Sequence, residues 1–147
     1  MKEKKIFYSY PRASITVDAL ILDSKSRTKL LLIKRGNDPF KNCWALPGGF
    51  IEMEENLIDS VKRELLEETS LKDIELYQFR TYGDIGRDPR GRTVTIVYYG
   101  FCENIEKAQA GDDAKELSFF DIDKLPSLAF DHSKIINDFL SYIQNHE

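Results

Sequence analysis

Residues 49–71 read GFIEMEENLIDSVKRELLEETSL, and they determine most of what the sequence indicates about the fold. Asn56 can cap a helix over Leu57–Thr69. With about 100° of rotation per residue, three carboxylates of this helix share one face, and an apolar stripe beside them can pack against a sheet. The carboxylates belong to Glu64, Glu67 and Glu68, and the stripe consists of Leu57, Ile58, Val61 and Leu65.

This row of glutamates is unfavourable for the helix alone. Each like-charge pair three or four positions apart costs about 0.2–0.5 kcal/mol. Glu67 and Glu68 also occupy the last turn, where the helix dipole already presents negative partial charge. A hard divalent cation would offset this cost, because Mg²⁺ prefers carboxylate oxygens. A solvated acidic face is the alternative that charge spacing alone leaves open.

The residues around the helix complete a longer pattern. Gly49 is followed after five residues by Glu55, after seven more by Arg63-Glu64-Leu65, and then by Glu67-Glu68, Ser70 and Leu71. This spacing resembles the Nudix box, GX5EX7REUXEEXGU, in which U is a bulky aliphatic residue. Only the last glycine differs, since Ser70 replaces it. A left-handed helix end costs serine about 1 kcal/mol but removes no ligand, so we expect intact chemistry.

The resemblance implies a single Nudix hydrolase domain over residues 1–147, with an α/β/α sandwich, a mixed curved sheet and two main helices. It implies Mg²⁺ or Mn²⁺ as cofactor and hydrolysis of a pyrophosphate link. The metal ligands would be Glu64, Glu67, Glu68 and the Gly48 carbonyl. Arg63 would orient the glutamates, while Gly49, Glu55 and Ser70 would be structural. The general base is expected to be Glu64 or, as the second candidate, Glu116.

Hydrophobic patterning outside this segment predicts the other elements. The expected strands are Ser14–Asp23, 29–34, 74–82, Thr93–Cys102 and 117–120, with a short extended piece at 44–49. A last helix is expected to start at His132 with Asp131 as its N-cap. Mixed strands with two separated helices favour an α/β sandwich.

Three further stretches resemble the bacterial ADP-ribose pyrophosphatase branch of the family. They are residues 10–18, residues 34–40 with 44–50, and residues 83–92. The resemblance implies ADP-ribose as substrate, and AMP and ribose 5-phosphate as products. Homodimers are common in this branch, so a homodimer is also implied.

Arginines are the candidates for substrate contact, because guanidinium groups suit phosphate oxygens. They are Arg87, Arg90 and Arg92 in the loop 83–92, with Arg35 and Arg12 as further candidates. The alternative is a surface turn in which Arg87 and Arg90 pair with Asp84 and Asp88.

Two other groups carry open alternatives. The aromatic side chains of Tyr82, Phe40 and Trp44 can stack on adenine, although core packing is the commoner fate of such residues. In the loop 111–116, Asp112 and Asp113 are expected in an exposed acidic turn, and Glu116 is the best placed to approach the metals.

Composition excludes several classes of protein. The 147 residues suit one domain, and a net charge of −4 does not indicate a polybasic nucleic-acid binder. Cys43 and Cys102 are too few for a disulfide framework. No stretch resembles a signal peptide or membrane span, so we expect a cytoplasmic protein with a small-molecule substrate and neither nucleic-acid nor membrane partners.

Three alternatives to an ADP-ribose pyrophosphatase remain. The first is a Nudix hydrolase that acts on nucleoside triphosphates or dinucleoside polyphosphates, because the box does not distinguish these substrates from ADP-ribose. The second is an ADP-ribose- or sugar-sensing regulatory domain, and the third is an interaction module with a vestigial site. The intact glutamates, and a sequence that stops at Glu147 soon after the last helix, favour an enzyme.

Overall fold

The structure is a computed structural model that describes residues 7–111 and 114–146. Its strands are β1 (Ser14–Asp23), β2 (Lys29–Arg35), β3 (Trp44–Ala45), β4 (Gly48–Phe50), β5 (Tyr77–Tyr82), β6 (Thr93–Cys102) and β7 (Ala114–Asp121). The helices are α1 (Leu57–Thr69) and α2 (His132–His146), with a short 3₁₀ turn at Ile105–Lys107.

The sheet is mixed, as predicted. β6 pairs with β1 in parallel along the whole of both strands, from Ser14 opposite Thr93 to Asp23 opposite Cys102. The pairs β1–β2, β5–β6 and β2–β7 are antiparallel. β1 is therefore a central strand, and its burial from Thr16 to Asp23 reflects that position.

β1 and β2 diverge, and the segment 44–50 fills the space between them. The two strands pair where Leu22 lies opposite Leu30. Farther along, β3 pairs with β2 and β4 pairs with β1, with Gly49 opposite Val17. The Ala19 N–H donates to the Pro47 carbonyl at 2.8 Å, which fixes the turn between β3 and β4. This arrangement brings Gly48 and Gly49 beside α1.

The two helices cover opposite faces of the sheet, which confirms the α/β/α sandwich. Side chains alternate along β1, so Val17, Ala19 and Ile21 join the core under α1, while Leu20 and Leu22 join the core under α2. α1 contributes Val61 and Leu65, and α2 contributes Ile135, Ile136 and Phe139. By the same alternation, Asp18 is a carboxylate on the α2 face.

The ends of α1 agree with the sequence in position but differ in one detail. Asn56 occupies the N-cap position but makes no side-chain capping hydrogen bond. Ser70 has φ 64°, which confirms the left-handed helix end, and its N–H donates to the Leu66 carbonyl at 2.9 Å. Its hydroxyl donates to the Gln109 carbonyl at 3.2 Å, so the serine gains a tertiary contact that glycine would lack.

Two strand boundaries differ from the prediction. β5 begins at Tyr77 and not at residue 74, because Ile74 and Leu76 pack against the α1-side core before pairing with β6 begins. β7 begins at Ala114 and not at 117, since it pairs with β2 from Arg35 onward. Within the described residues, neither helix combines the length and apolar character that crossing a membrane requires.

Candidate active site

A cleft of about 530 Å³ opens where β1 and β2 diverge. The start of β4 and α1 form one side of it, and the loop 83–92 and the start of α2 supply other lining residues. The residues of the segment 49–71 that line the cleft are Gly49, Phe50, Ile51, Glu52, Arg63, Glu64 and Glu68. The fold thus places the predicted box beside the gap between β1 and β2.

Arg63 organises the glutamates. Its guanidinium donates to both carboxylate oxygens of Glu55, at 2.7 and 3.0 Å, and to Glu64 Oε1 at 2.8 Å. Weaker bonds of 3.3 and 3.2 Å reach Glu67 and the Phe50 carbonyl. Hydrogen bonds from Arg63 and from the Ser60 hydroxyl hold the pKa of Glu55 at about 2. Glu55 therefore anchors Arg63, and Arg63 in turn fixes Glu64.

Glu68 stands apart from this network. Its Oε1 accepts a 2.7 Å hydrogen bond from the Gly48 N–H, and the positive charge of Arg35 acts on it from within the same cleft. Burial raises the pKa of Glu68 to about 8 and also raises the pKa of Glu64. Desolvation of the partly buried Glu68 carboxylate outweighs the stabilisation from the Gly48 N–H and from Arg35, so further positive charge at the site is favourable.

The two glycines before the helix are required by close contacts. A Cβ on Gly49 would lie 2.6 Å from the Glu64 carboxylate, and a Cβ on Gly48 would collide with the Val17 carbonyl and with Asp18. Glycine at 49 therefore leaves room for the Glu64 carboxylate against β4. Glycine at 48 allows its N–H to reach Glu68.

The donor set fits a hard divalent cation, although the three box glutamates do not yet converge. In residues 7–111 and 114–146, no three His, Cys, Asp or Glu side chains form a ready cluster. Arg63 holds Glu64 and Glu67, whereas Gly48 holds Glu68. Glu64 and Glu68 nevertheless line the same cleft and offer carboxylate oxygens, the ligands that Mg²⁺ prefers, and a cation would offset the desolvation of Glu68.

The arginines of the loop 83–92 divide into those on the cleft and those outside it. Arg87 and Arg90 line the cleft, and so does Arg35 of β2. Arg87 donates to both oxygens of Asp131, at 2.7 and 2.9 Å, and not to Asp84. Arg90 pairs with Asp88 at 2.7 Å, as the alternative of a surface turn predicted. The Asp131 carboxylate, expected to cap α2, is thus occupied by Arg87.

Three candidates lie away from the cleft lining. Arg12 stacks on the Tyr8 ring at 4.0 Å on a separate surface, and Arg92 is exposed. Glu116 is exposed on β7 opposite Lys34, because β7 starts before this residue and alternation directs it away from the α1 face, where Leu117 packs. Asp112 and Asp113 lie outside the described residues.

The aromatic candidates are mostly structural. Tyr82 is buried in the α2-side core, and Trp44 packs edge-on against Phe120 at 4.7 Å. Phe40 contacts Phe130 at 4.9 Å. The rings that do line the cleft are Phe50 and Phe130, which sequence reasoning missed.

Phe130 is the more constrained of these two rings. It has φ 52°, a left-handed conformation that is unusual for a bulky residue and that is often found at functional sites. The Arg90 guanidinium lies 5.4 Å from its ring and 4.9 Å from the Phe50 ring. No local sequence pattern distinguishes these rings from core aromatics.

Asp18 and His132 were also missed as residues of the cleft. Asp18 occupies a strand otherwise filled by core residues, and the sequence predicts His132 only as the start of α2. Both line the cleft and both are buried. A polar residue inside an apolar strand pattern was the available signal for Asp18.

Comparison with known proteins gives the same result for family and fold. A model of the NUDIX domain matches residues 13–139. An ADP-ribose pyrophosphatase of Methanocaldococcus jannaschii is 43% identical over 141 residues, which cover 96% of this chain and 81% of that protein.

Regulatory proteins are similar as well. The ADPR responsive transcriptional repressor NtrR of Acinetobacter baylyi is 34% identical over 142 residues, and the match covers 92% of this chain but only 56% of the repressor. The solved NUDIX domain of Shewanella oneidensis NrtR, in complex with ADP ribose, superposes with a TM-score of 0.84 at 30% identity and covers 92% of this chain and 91% of that one.

Proposed function

The chain belongs to the NUDIX family, and we propose that it is a divalent-metal-dependent pyrophosphohydrolase that converts ADP-ribose to AMP and ribose 5-phosphate. The observation that carries the proposal is the pair of carboxylates, Glu64 and Glu68, that line one cleft beside Gly48, with Glu68 partly buried against the Gly48 N–H. The 43% identity to an ADP-ribose pyrophosphatase over nearly the whole chain supports the choice of substrate.

Glu64, Glu68 and the Gly48 carbonyl would hold the metal, with Glu67 joining from its exposed position. Bound Mg²⁺ or Mn²⁺ would neutralise pyrophosphate oxygens and acidify the attacking water. Glu64 is the proposed base, because it lines the cleft and Arg63 fixes it at 2.8 Å. Water would attack one phosphorus, its proton would pass to Glu64, and the bridging P–O bond would break to release two phosphate monoesters.

The remaining charges of the cleft suit the rest of the substrate. Arg35 and Arg90 line the cleft and would contact phosphate oxygens. Arg87, whose side chain is only 5% exposed, would position the loop through Asp131. Phe50 and Phe130 line the cleft, and adenine would stack on their rings.

Turnover of a substrate panel tests the proposal. With Mg²⁺, the protein should cleave ADP-ribose with a higher kcat/KM than ATP or a dinucleoside polyphosphate, and chromatography should identify AMP and ribose 5-phosphate. Glu68→Gln keeps an acceptor for the Gly48 N–H but removes the charge, so kcat should fall at least about a hundredfold while the fold survives.

Glu116→Gln is the matched control, because Glu116 is an exposed glutamate outside the cleft. It should retain wild-type turnover. A wild-type rate for Glu68→Gln in saturating Mg²⁺ would contradict the metal site. A reversed ranking of substrates would contradict the ADP-ribose assignment and leave the family unaffected.

The second candidate is an ADP-ribose-sensing regulatory domain, favoured by the likeness to the NrtR domain. The same assay separates the two functions, since a sensor would bind ADP-ribose and leave it intact. The Arg63–Glu55–Glu64 network favours hydrolysis, because it orients a carboxylate that a binding site does not need.

We also propose a cytoplasmic, homodimeric protein that has no nucleic-acid partner of its own. Phe7, Tyr10 and Met53 are each more than 80% exposed and line one surface, which a second copy would cover. Light scattering of the pure protein measures its mass, and a monomer at micromolar concentration would contradict the dimer.

A further inference from the structure

Asp18 and His132 form a polar pair in the cleft that the proposed hydrolysis does not use. Asp18 comes from the α2 face of β1, and His132 is the first residue of α2. Their side chains are only 10% and 4% exposed, yet both line the cleft. Burying polar groups is costly unless they are bonded, so each of their polar atoms requires an explanation.

The tautomer of His132 is fixed by the backbone. The Leu46 N–H donates to Nδ1 at 3.0 Å, so Nδ1 carries no proton. Burial lowers the pKa of His132, which keeps the ring neutral near pH 7 with its proton on Nε2. Nε2 lies 3.9 Å from Asp18 Oδ2, which is too far for a hydrogen bond. The Nε2–H is therefore a donor without a protein acceptor among residues 7–111 and 114–146.

Asp18 supplies the complementary acceptor. Its Oδ2 accepts a 2.6 Å hydrogen bond from the Thr95 hydroxyl. Its Oδ1 receives no hydrogen bond from the residues that the structure describes. In the same residues, every fully buried side-chain nitrogen or oxygen has a partner. Oδ1 and Nε2 must therefore be reachable from the cleft.

We propose that Asp18 Oδ1 and His132 Nε2–H bind the vicinal hydroxyl groups of a ribose of the substrate, an inference that takes the identity of its ligand from the proposed function. One hydroxyl would donate to Oδ1, and its neighbour would accept from Nε2–H. Both protein atoms are held by bonds at their other ends, to Thr95 and to Leu46, so little entropy is lost on binding.

The hydrogen-bonding capacity of the pair argues for a sugar and against a phosphate at this point. A phosphate presents only acceptors at neutral pH, so it could accept from His132 Nε2–H but could not donate to Asp18 Oδ1. A diol both donates and accepts, so it satisfies both atoms. Asp18 and His132 would therefore set specificity for hydroxylated substrates.

Binding to modified ligands tests the inference without turnover. Calorimetry in EDTA would compare ADP-ribose with two analogues. The first analogue lacks the hydroxyl groups of the adenosine ribose, because it contains 2′,3′-dideoxyadenosine. The second is ADP esterified with tetrahydrofurfuryl alcohol, which keeps the terminal ring but lacks its hydroxyl groups. The wild-type protein should bind one analogue about tenfold to a hundredfold more weakly than ADP-ribose, and that analogue identifies the ribose.

Asp18→Asn should bind ADP-ribose as weakly as the wild type binds that analogue and should no longer distinguish the two. His132→Asn, which keeps an acceptor for the Leu46 N–H, should show the same loss with an unchanged unfolding temperature. Asp88→Asn is the matched control, because Asp88 is a buried carboxylate of the cleft that is already bonded to Arg90. This variant should change the affinity for all three ligands by the same factor.

Equal wild-type affinity for all three ligands would overturn the inference. So would an Asp18→Asn variant that weakens all three by the same factor, as a structural role or a cation beside Asp18 requires. A failure of the proposed hydrolysis is distinguishable, because ADP-ribose would then show this discrimination and still remain uncleaved in Mg²⁺.

Discussion

At the scale of single residues, the site depends on the lack of a Cβ atom at Gly49. Gly49 lies in β4, directly against the Glu64 carboxylate, and any side chain there would occupy the position of that carboxylate. Gly49 thus affects chemistry through Glu64 without providing a functional group. Its role differs from that of Glu68, whose own carboxylate is partly buried and accepts a hydrogen bond from the Gly48 N–H.

Gly49→Ala should therefore lower activity more than stability. The new Cβ would lie 2.6 Å from the Glu64 carboxyl carbon and displace it from Arg63. A displacement of about 1 Å at a catalytic group costs about a hundredfold in rate. Steady-state turnover of ADP-ribose, with the unfolding temperature measured alongside, checks this.

Gly83→Ala is its control. A Cβ at Gly83 meets only a Val94 methyl at 3.2 Å, outside the cleft, so turnover should remain close to that of the wild type. Equal turnover of Gly49→Ala and Gly83→Ala would contradict the assigned role of Gly49.

At the scale of the elements, α1 carries glutamates on one face and core residues on another, and its C-terminal end is strained. Ser70 terminates the helix with φ 64°, a conformation that glycine adopts at lower cost. The loop at Gln109 and Gly111 packs on the same end, with N–H groups that donate to the carbonyls of Thr69 and Glu68. The strain at Ser70 therefore lowers the stability of the fold and does not disturb the carboxylates of α1.

Ser70→Gly should raise the free energy of unfolding by up to about 1 kcal/mol with turnover unchanged. The lost hydrogen bond to Gln109 is exposed and 3.2 Å long, so it offsets only part of this gain. Urea denaturation measures the change. Ser70→Ala removes the same hydroxyl but keeps the Cβ, and it should not gain stability; a gain equal to that of Ser70→Gly would refute left-handed strain as the cause.

At the scale of the whole molecule, two ion pairs join the loop 83–92 to residues 131–134 around the start of α2, and they differ in burial. Arg87–Asp131 is nearly buried, with the Arg87 side chain 5% exposed, whereas Lys134–Asp84 is exposed. Buried charges left without a partner are far more costly than exposed ones. The first pair therefore holds one wall of the cleft, and the second contributes little.

Asp131→Asn should lower the free energy of unfolding by about 3 kcal/mol and raise the KM for ADP-ribose, because Arg87 loses its counter-charge. Asp84→Asn breaks the exposed pair of the same two elements and should cost less than about 1 kcal/mol. Comparable losses of stability and of substrate affinity in the two variants would show that burial of Arg87 is irrelevant.

The sequence predicted the parts of this molecule that depend on local pattern. The β-branched and apolar run of residues 14–23 predicted β1, and Asn56 with the helical period after it predicted α1. The spacing of Glu55, Arg63 and Glu64 indicated a shared site, which the structure joins through Arg63. Patterns of this kind are set within a few residues, so they can be recognised without the fold.

The missed features depend on tertiary contacts. Arg87 meets Asp131 across 44 positions, and Leu46 meets His132 across 86, so no local spacing indicates either pair. Glu116 was expected to approach the metals because it follows an acidic loop. The register of β7 against β2 instead places it opposite Lys34, and such registers depend on the whole sheet.

A crystal soaked in Mn²⁺ and measured at the manganese absorption edge tests the central claim most directly. We predict an anomalous peak between the carboxylates of Glu64 and Glu68 and the Gly48 carbonyl, at oxygen distances of about 2.1–2.3 Å. A crystal in which Glu64 and Glu68 keep their bonds to Arg63 and Gly48, with no peak between them at saturating Mn²⁺, would contradict it.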